Sequence, residues 1–385
     1  MSSEKTVLNE VDDSKVIELL RDLVRIPSIS LQEKEIGEYI FEKLYNWGFK
    51  PEMQYADKDR FNIICRLIGK EKGPTILFNG HIDTQKTDGM LIDPFSAELK
   101  DSRVYGRGSA DMKSGISAIM SAFNAINKAG IDLKGEAMIV FTVGEEYDSK
   151  GIKTFARSNI RADMGVCAEI SNLRLAIGHK GILSGEITTK GRATHSSVPK
   201  KGVNAIIKMM KVIEGLHNLP LFEDEDTLYG HSTVNVGTIK GGRFVTWVPD
   251  YCTMGYNFRL IPEHTPQLVN DQIKDMLERL KEEDLEMSVD ISERKGSSAV
   301  RISSEEPIVE ISKKALNYVL KKQIALWAAP YNTDAAVLIR ECDIPTVVVG
   351  PGDIEAAHSA TESVSVEETI NASKAYALMI LYALT

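Results

Sequence analysis

The chain has only four cysteines, and Cys65, Cys167, Cys252 and Cys342 are scattered, mostly within apolar segments. They offer neither a cysteine cluster for zinc nor a disulfide framework, so we interpret them as small buried apolar residues. The sequence also lacks an apolar run long enough to cross a bilayer, and its polar N-terminal segment lacks the apolar core of a secretory signal. We therefore expect a soluble, cytoplasmic protein.

Basic residues are fewer than acidic residues: the sequence has 46 Lys and Arg and 55 Asp and Glu, which gives a net charge of -9. Such a chain gives phosphate backbones and anionic lipids no general electrostatic reason to bind, which argues against nucleic acid and membranes as partners. Low-complexity tracts are absent, and the 43% hydrophobic fraction is typical of folded globular proteins. At a length of 385 residues, two domains are favoured over one.

Apolar periodicity predicts an alternation of helices and strands. Helical spacing predicts two opening helices at 15–23 and 34–47, and further helices at 114–128, 203–216 and 266–281. Short β-rich runs predict strands at 61–67, 75–78, 137–143, 164–168, 182–189, 233–239, 251–260 and 344–349. This rhythm predicts an α/β domain of residues 1–180 and 295–385, interrupted by a smaller α+β insert of residues 181–294. The polar stretch from Lys295 to Ser298 marks the predicted boundary.

A histidine and an acid follow the predicted strand at 75–78. The strand runs on into His81-Ile82-Asp83, and extended geometry points His81 and Asp83 to the same side. A metal-binding imidazole usually gives its other N–H to a carboxylate, which makes Asp83 a candidate partner of His81. An Asp after a strand also caps turns, so this pair alone does not define a site.

A glycine-rich loop from Gly106 to Gly115 leads into a predicted helix and contains Asp111. Capping of that helix is the simplest interpretation of Asp111 taken alone. The loop has neither the spacing of a phosphate-binding loop nor the dinucleotide pattern, so a nucleotide-binding protein is disfavoured.

Two adjacent acids, Glu145 and Glu146, follow the predicted strand at 137–143. Neighbouring carboxylates repel each other unless they are solvated or offset by a cation. The pair is therefore either a surface turn or part of a cation site at the carboxyl edge of the sheet, where ligands bind in open α/β folds. In the second case Glu146 is a metal ligand and Glu145 is a general base.

Two more candidates complete the set, because Glu169 follows the predicted strand at 164–168 and His358 lies in a loop after the strand at 344–349. Together the strand ends supply imidazole and carboxylate ligands, which suit zinc or cobalt. In this order the motifs resemble the co-catalytic zinc peptidase family that includes acetylornithine deacetylase, succinyl-diaminopimelate desuccinylase, aminoacylase-1 and glutamate carboxypeptidase. The resemblance covers essentially the whole chain.

The resemblance implies a mixed-sheet, three-layer α/β/α catalytic domain and an inserted lid or dimerisation domain. It implies two divalent ions, with zinc expected and cobalt as the alternative. Asp111 bridges them, His81 and Glu169 complete one site, and Glu146 and His358 complete the other. Glu145 is then the general base for a metal-bridged water.

The resemblance also assigns residues of the insert. His195, in the segment from Gly191 to Pro199, corresponds to a histidine that reaches the substrate carbonyl from the partner subunit of a homodimer and stabilises the oxyanion. Asn235 and Arg259 resemble positions that hold the substrate, and Arg259 can bind a carboxylate in bidentate fashion. The simpler interpretation of His195 is a surface loop histidine. For Asn235 and Arg259 it is a buried structural ion pair or a solvated residue.

The resemblance implies hydrolysis of the amide bond in a small N-acyl amino acid. A dipeptidase or carboxypeptidase needs the same metal centre, so this alternative stays open for a short peptide substrate. A non-catalytic binding protein that kept the fold is a third hypothesis, since fold alone does not fix function.

Overall fold

The computed structural model describes residues 2–293 and 296–385. They divide into two compact units: the first comprises residues 2–178, Ile302–Trp327 and Thr333–Thr385, and the second comprises residues 179–293, 296–301 and Ala328–Asn332. The predicted boundary at 294 and the polar residue Lys295 lie outside the described residues. Within the described ranges, no helix has the length and apolar character that a membrane crossing requires.

The helices predicted at 15–23, 34–47, 114–128, 203–216 and 266–281 are all present, and the structure contains further helices. Their bounds are α1 Ser3–Glu10, α2 Asp13–Arg25, α3 Lys34–Asn46, α4 Ser114–Ala129, α5 Lys150–Ala156, α6 Ala205–His217, α7 Pro266–Glu283, α8 Pro307–Leu320, α9 Ala335–Arg340 and α10 Val366–Leu384. Three helices open the chain, so the prediction of two was wrong. Helix α1 escaped the prediction because Val7 is its buried side chain, and one apolar contact leaves no periodicity to detect.

The strands form sheets of different kinds in the two units. Their bounds are β1 Glu52–Tyr55, β2 Phe61–Ile68, β3 Glu71–His81, β4 Glu98–Lys100, β5 Arg103–Tyr105, β6 Lys134–Thr142, β7 Met164–Cys167, β8 Leu175–His179, β9 Gly181–Lys190, β10 Glu225–Asp226, β11 Gly230–His231, β12 Thr233–Gly241, β13 Tyr251–Leu260, β14 Ser288–Glu293, β15 Val300–Arg301, β16 Leu326–Ala329, β17 Thr346–Val348 and β18 Ser363–Ser365. The main sheet of the first unit runs in the order β1, β2, β6, β3, β7, β17, β8.

The main sheet is mixed, which confirms the predicted α/β fold class. Strand β3 lies parallel to β6 and β7, and β17 lies parallel to β7, whereas β2 is antiparallel to both β1 and β6. Alternate residues of β3 pack on opposite faces: Phe78 contacts Phe123 of α4 and Tyr376 of α10, while Leu77 joins a cluster with Phe155 of α5 and Leu338 of α9. Because β3, β6, β7 and β17 are parallel, their carboxyl ends meet at one edge.

The second unit is built on an antiparallel sheet in the order β12, β13, β9, β14. Alternation in β13 buries Met254, Tyr256 and Phe258 on one face, where they pack with Met209 of α6 and Ile273 of α7. The intervening residues of β13 lie on the opposite, partly exposed face. This unit therefore has its own hydrophobic core.

Candidate metal centre

The parallel strands deliver four of the predicted residues to one edge of the sheet. His81 is the last residue of β3, Glu145 and Glu146 follow β6, and Glu169 follows β7. Asp111 lies in a short turn after Gly108, whose φ of 79° favours glycine. That turn leads into α4, and Asp111 does not cap the helix, which contradicts the capping interpretation.

Two imidazoles lie on opposite sides of the Asp111 carboxylate. His81 Nε2 is 3.1 Å from Asp111 Oδ1 and 3.4 Å from Glu169 Oε1. His358 Nε2 is 3.2 Å from Asp111 Oδ2 and 3.0 Å from Glu146 Oε1. Each oxygen of Asp111 therefore faces a different histidine.

The donor atoms are close enough to share cations. Ligand atoms of His81, Asp111 and Glu146 lie within 4.8 Å of one another, and so do those of His81, Glu145 and Glu169. Imidazole nitrogens and carboxylate oxygens in this mixture fit zinc, cobalt or a similar divalent ion. The residues present thus fit the metal pair that the motifs imply.

The electrostatics of the cluster are those of crowded negative charge. Desolvation raises the pKa of Glu169 well above its usual range, and repulsion from Asp111 adds to this effect. Desolvation likewise raises the pKa of Glu145, although the nearby His81 opposes it. Hydrogen bonds to Asp111 and Glu146 raise the pKa of His358 to about 10. Burial and mutual repulsion disfavour the ionised carboxylates, and a neutralising positive charge, either a proton or a divalent cation, would relieve both effects.

Asp83 supports the cluster through the main chain. Its Oδ1 accepts a hydrogen bond from the amide of Glu145 at 3.0 Å, and its Oδ2 accepts one from the amide of Glu146 at 3.2 Å. The nearest partner of His81 Nδ1 is the carbonyl oxygen of Asp83 at 2.9 Å, whereas the Asp83 carboxylate is 3.6 Å away. The sequence predicted a contact of Asp83 with His81 alone. The structure shows that the Asp83 carboxylate also binds the main chain of the loop that contains Glu145 and Glu146.

An ionic cluster that the sequence interpretation missed contacts the same loop at Asp148. Arg60 Nη2 lies 2.8 Å from Glu33 Oε1, and Arg60 Nη1 lies 2.8 Å from Asp148 Oδ2. A Cβ at Gly144 would clash with both Arg60 Nη2 and Asp148 Oδ1, and the φ of Gly144 is positive. The glycine before Glu145 was the available signal, since only glycine fits such an approach.

Two buried acids were also missed. Asp334 accepts a hydrogen bond from Thr142 Oγ1 at 2.6 Å, and desolvation raises the pKa of Asp334 to about 6. Glu362 accepts a hydrogen bond from Arg107 Nη1 at 2.6 Å. Neither acid ends a predicted strand, so the pattern that identified the other acids could not select them.

The remaining predicted residues belong to the second unit. His195 is exposed, and its Nδ1 lies 2.8 Å from Ser197 Oγ. In the sheet, Asn235 pairs with Asn257, and two residues further along Arg259 pairs with Thr233. Directly opposed residues of antiparallel strands share a face, so Asn235 and Arg259 lie on the same, open face of this sheet.

Imidazoles and carboxylates gathered at the carboxyl edge of a mixed α/β sheet form a candidate site for divalent ions, which a metal-dependent hydrolase requires. Residues 77–382 match peptidase family M20/M25/M40, and the chain belongs to this family. It is similar to a probable succinyl-diaminopimelate desuccinylase of Staphylococcus epidermidis. The two are 27% identical over an alignment of 396 residues, gaps included, which covers 93% of this chain and 94% of the relative. Acetylornithine deacetylase of Photorhabdus laumondii is 30% identical over 369 residues, covering 90% of this chain and 91% of the relative.

A solved structure supports the fold. An M20 family metallo-carboxypeptidase of Sulfolobus solfataricus is 19% identical and aligns with a TM-score of 0.81 over 96% of this chain and 99% of its own. The predicted family and the predicted class, a hydrolase of amide or peptide bonds, are confirmed.

Proposed function

We propose that the chain hydrolyses the amide bond of small N-acyl amino acids at a pair of divalent ions, zinc or alternatively cobalt. The observation that carries the proposal is the position of Asp111, whose two oxygens lie 3.1 Å and 3.2 Å from His81 Nε2 and His358 Nε2. A carboxylate placed between two imidazoles suits a bridge between two ions. An acyl amino acid is favoured because two relatives are named for succinyl and acetyl derivatives of amino acids.

In this proposal the ligands divide into two sets that share Asp111. The first set contains His81 and Glu169, and the second contains Glu146 and His358. When bound, the ions polarise the scissile carbonyl and lower the pKa of water. Glu145 accepts a proton from the attacking water and passes it to the leaving amine, since its carboxylate lies within 4.8 Å of the ligand atoms of His81 and Glu169.

We further propose a homodimer formed through the second unit, in which His195 stabilises the oxyanion of the partner's substrate and Asn235 and Arg259 hold the substrate. Strand β12 lies at the edge of the described sheet, and Ile207 and Met210 of α6 are 51% and 59% exposed. An exposed strand edge beside apolar side chains suits pairing with a second copy. The cytoplasmic location expected from the sequence stays a prediction.

The test is an activity screen of metal-reconstituted protein against N-acetyl and N-succinyl amino acids and a panel of dipeptides. We expect the highest kcat/KM on an N-acyl amino acid, measured as release of the free amine. Glu145→Ala should lower kcat by about 10²–10⁴-fold without loss of metal. The matched control is Glu355→Ala, which removes an exposed acid near His358 and should leave kcat unchanged.

Higher kcat/KM on dipeptides would replace the deacylase with the dipeptidase alternative while retaining the metal centre. Wild-type kcat in Glu145→Ala would remove Glu145 as the base. Wild-type protein that binds no metal and hydrolyses none of these substrates would overturn the proposal as a whole.

A further inference from the structure

Glu362 is a fully buried acid that the proposed reaction does not use. Its side chain is 0% exposed, although it lies only four residues beyond the exposed loop residue His358. A buried carboxylate is strongly unfavourable unless donors satisfy both oxygens. The partners of Glu362 therefore show what this position does for the surrounding chain.

Each oxygen of Glu362 receives two hydrogen bonds from the turn that contains Asp111. Oε2 accepts from Arg107 Nη1 at 2.6 Å and from the amide of Gly108 at 3.0 Å. Oε1 accepts from the amides of Ala110 and Asp111 at 3.0 Å and 3.1 Å. Three main-chain amides and one guanidinium thus converge on a single carboxylate and fix the path of this turn.

Two neighbouring contacts extend the same arrangement. Arg107 Nε donates to the carbonyl oxygen of Lys86 at 3.1 Å, which joins the turn to the segment after β3. The amide of Gly106 donates to the carbonyl oxygen of Glu362 at 3.0 Å. The chain around Glu362 is therefore paired with the loop before Asp111 through both main chain and side chain.

The contacts of Glu362 join two segments that each supply a candidate ligand. The turn supplies Asp111, and the segment of Glu362 supplies His358, whose Nε2 lies 3.2 Å from Asp111 Oδ2. A shift of the Asp111 amide relative to Glu362 would change this separation directly. Groups that orient metal ligands in this way typically alter metal affinity by about 10–100-fold.

We propose that Glu362 is a positioning residue for the metal pair, holding the Asp111 turn in register with the His358 segment. The inference rests on the proposed function, because it assigns the metal pair to the same ligands. A purely structural role would lower the stability of the metal-free protein and leave metal affinity unchanged. The positioning role requires a loss of metal affinity in the folded variant.

The test compares Glu362→Gln with Glu367→Gln, which removes the charge of an exposed acid at the start of α10. In Glu362→Gln an NH₂ group replaces one of the two carboxylate oxygens, so two of the present hydrogen-bond donors would face another donor. Zinc affinity is measured by competition with a chelator, and Tm is measured with and without zinc. We expect about 10–100-fold weaker binding of at least one ion in Glu362→Gln and a smaller rise in Tm on zinc addition. Glu367→Gln should match the wild type.

Unchanged zinc affinity in folded Glu362→Gln would overturn the inference, whatever happens to the Tm of the metal-free protein. If this variant does not fold, Arg107→Lys replaces it, because lysine keeps the charge but not the forked contacts with Glu362 and Lys86. Unchanged zinc affinity in Arg107→Lys would then overturn the inference. Wild-type protein without a metal pair would remove the proposed function and this inference together, whereas a wild-type pair with unaffected variants removes the inference alone.

Discussion

Several side chains to which we assign roles differ in burial between the two units. In the first unit, His81 is 1% exposed and the carboxylates of Asp83 and Glu362 are 0% exposed, and each carboxylate binds main-chain amides. In the second unit, His195 is exposed in a loop and Asn235 lies on an open sheet face. Folding alone therefore fixes the geometry of the first set.

Burial determines which of these functional assignments can be made from a single chain. Side chains held by buried hydrogen bonds have a defined geometry before any ligand arrives, which is the condition for a preorganised site. Exposed side chains acquire a fixed geometry on contact with another molecule or subunit. The proposed roles of His195 and Asn235 consequently need experiments that report on assembly.

The strongest test of the contrast is Asp111→Asn, which keeps the shape of the side chain but removes the charge between His81 and His358. We expect loss of at least one bound ion and a fall in kcat/KM of at least about 10³-fold, because both proposed ion sites share this carboxylate. Metal content and kinetics measure the effect. The control, Asp88→Asn, alters an exposed acid in the loop after β3 and should retain both properties.

Arg60→Met tests whether the buried ionic cluster stabilises the first unit. The change leaves the carboxylate of Glu33, which is 0% exposed, without its cation. We expect the free energy of unfolding to fall by about 3–5 kcal/mol, measured by denaturant titration. The control Arg66→Met breaks the partly exposed ion pair with Glu136. It should lower the free energy of unfolding by about 1 kcal/mol or less. Equal effects of the two substitutions would contradict the special position of Arg60.

His195→Ala tests the dependence of the second unit on a partner. We expect kcat to fall by about 10²–10³-fold, the usual effect of removing an oxyanion donor. The control is His217→Ala, at the exposed end of α6.

Mixing His195→Ala with Glu145→Ala should then restore about one quarter of the wild-type activity, since half of randomly formed dimers contain one site with both residues. No recovery on mixing, in protein shown to exchange subunits, would place the action of His195 within its own chain.

The smallest effect is expected for an ionic cluster of the second unit. Lys208 and Lys211 lie 2.6 Å and 2.8 Å from Asp284, and their hydrogen bonds lower the pKa of Asp284 to about 2. A lowered pKa in the folded state stabilises it above the unfolded pKa near 3.8, and this contribution disappears as the pH falls towards 2. Asp284→Asn should therefore lower the unfolding free energy by about 1–2 kcal/mol at neutral pH.

Measurement of both proteins between pH 2 and pH 7 checks this prediction, and the difference in stability should be much smaller at the acid end than at neutral pH. Asp290→Asn breaks the exposed pair with Lys190, whose two side chains are 59% and 62% exposed, and should have little effect. A difference between Asp284→Asn and the wild type that is constant with pH would exclude the ionic origin.

Sequence patterns anticipated much of the fold because burial leaves a periodic signal. Strand β13 was predicted with its bounds as observed, Tyr251–Leu260, since its apolar residues alternate cleanly. Glu145, Glu146 and Glu169 were identified because each follows a predicted strand, and parallel strands bring their carboxyl ends together. The family resemblance then separated Asp111 from an ordinary helix cap.

The missed residues depend on contacts that no local pattern records. Glu362 binds the amide of Asp111 across 251 positions of sequence, and Arg60 binds Asp148 across 88. A lone acid or arginine in a loop is usually solvated, so its burial becomes evident only in three dimensions.

The order of the candidate ligands along the chain has a consequence for synthesis. His81, Asp111, Glu146 and Glu169 all precede the second unit, whereas His358 and Glu362 follow β17, the strand that completes the sheet between β7 and β8. A nascent chain on the ribosome therefore presents part of the ligand set long before the rest exists. If these residues hold an ion pair as proposed, the complete pair would be loaded only after the segment of His358 has docked.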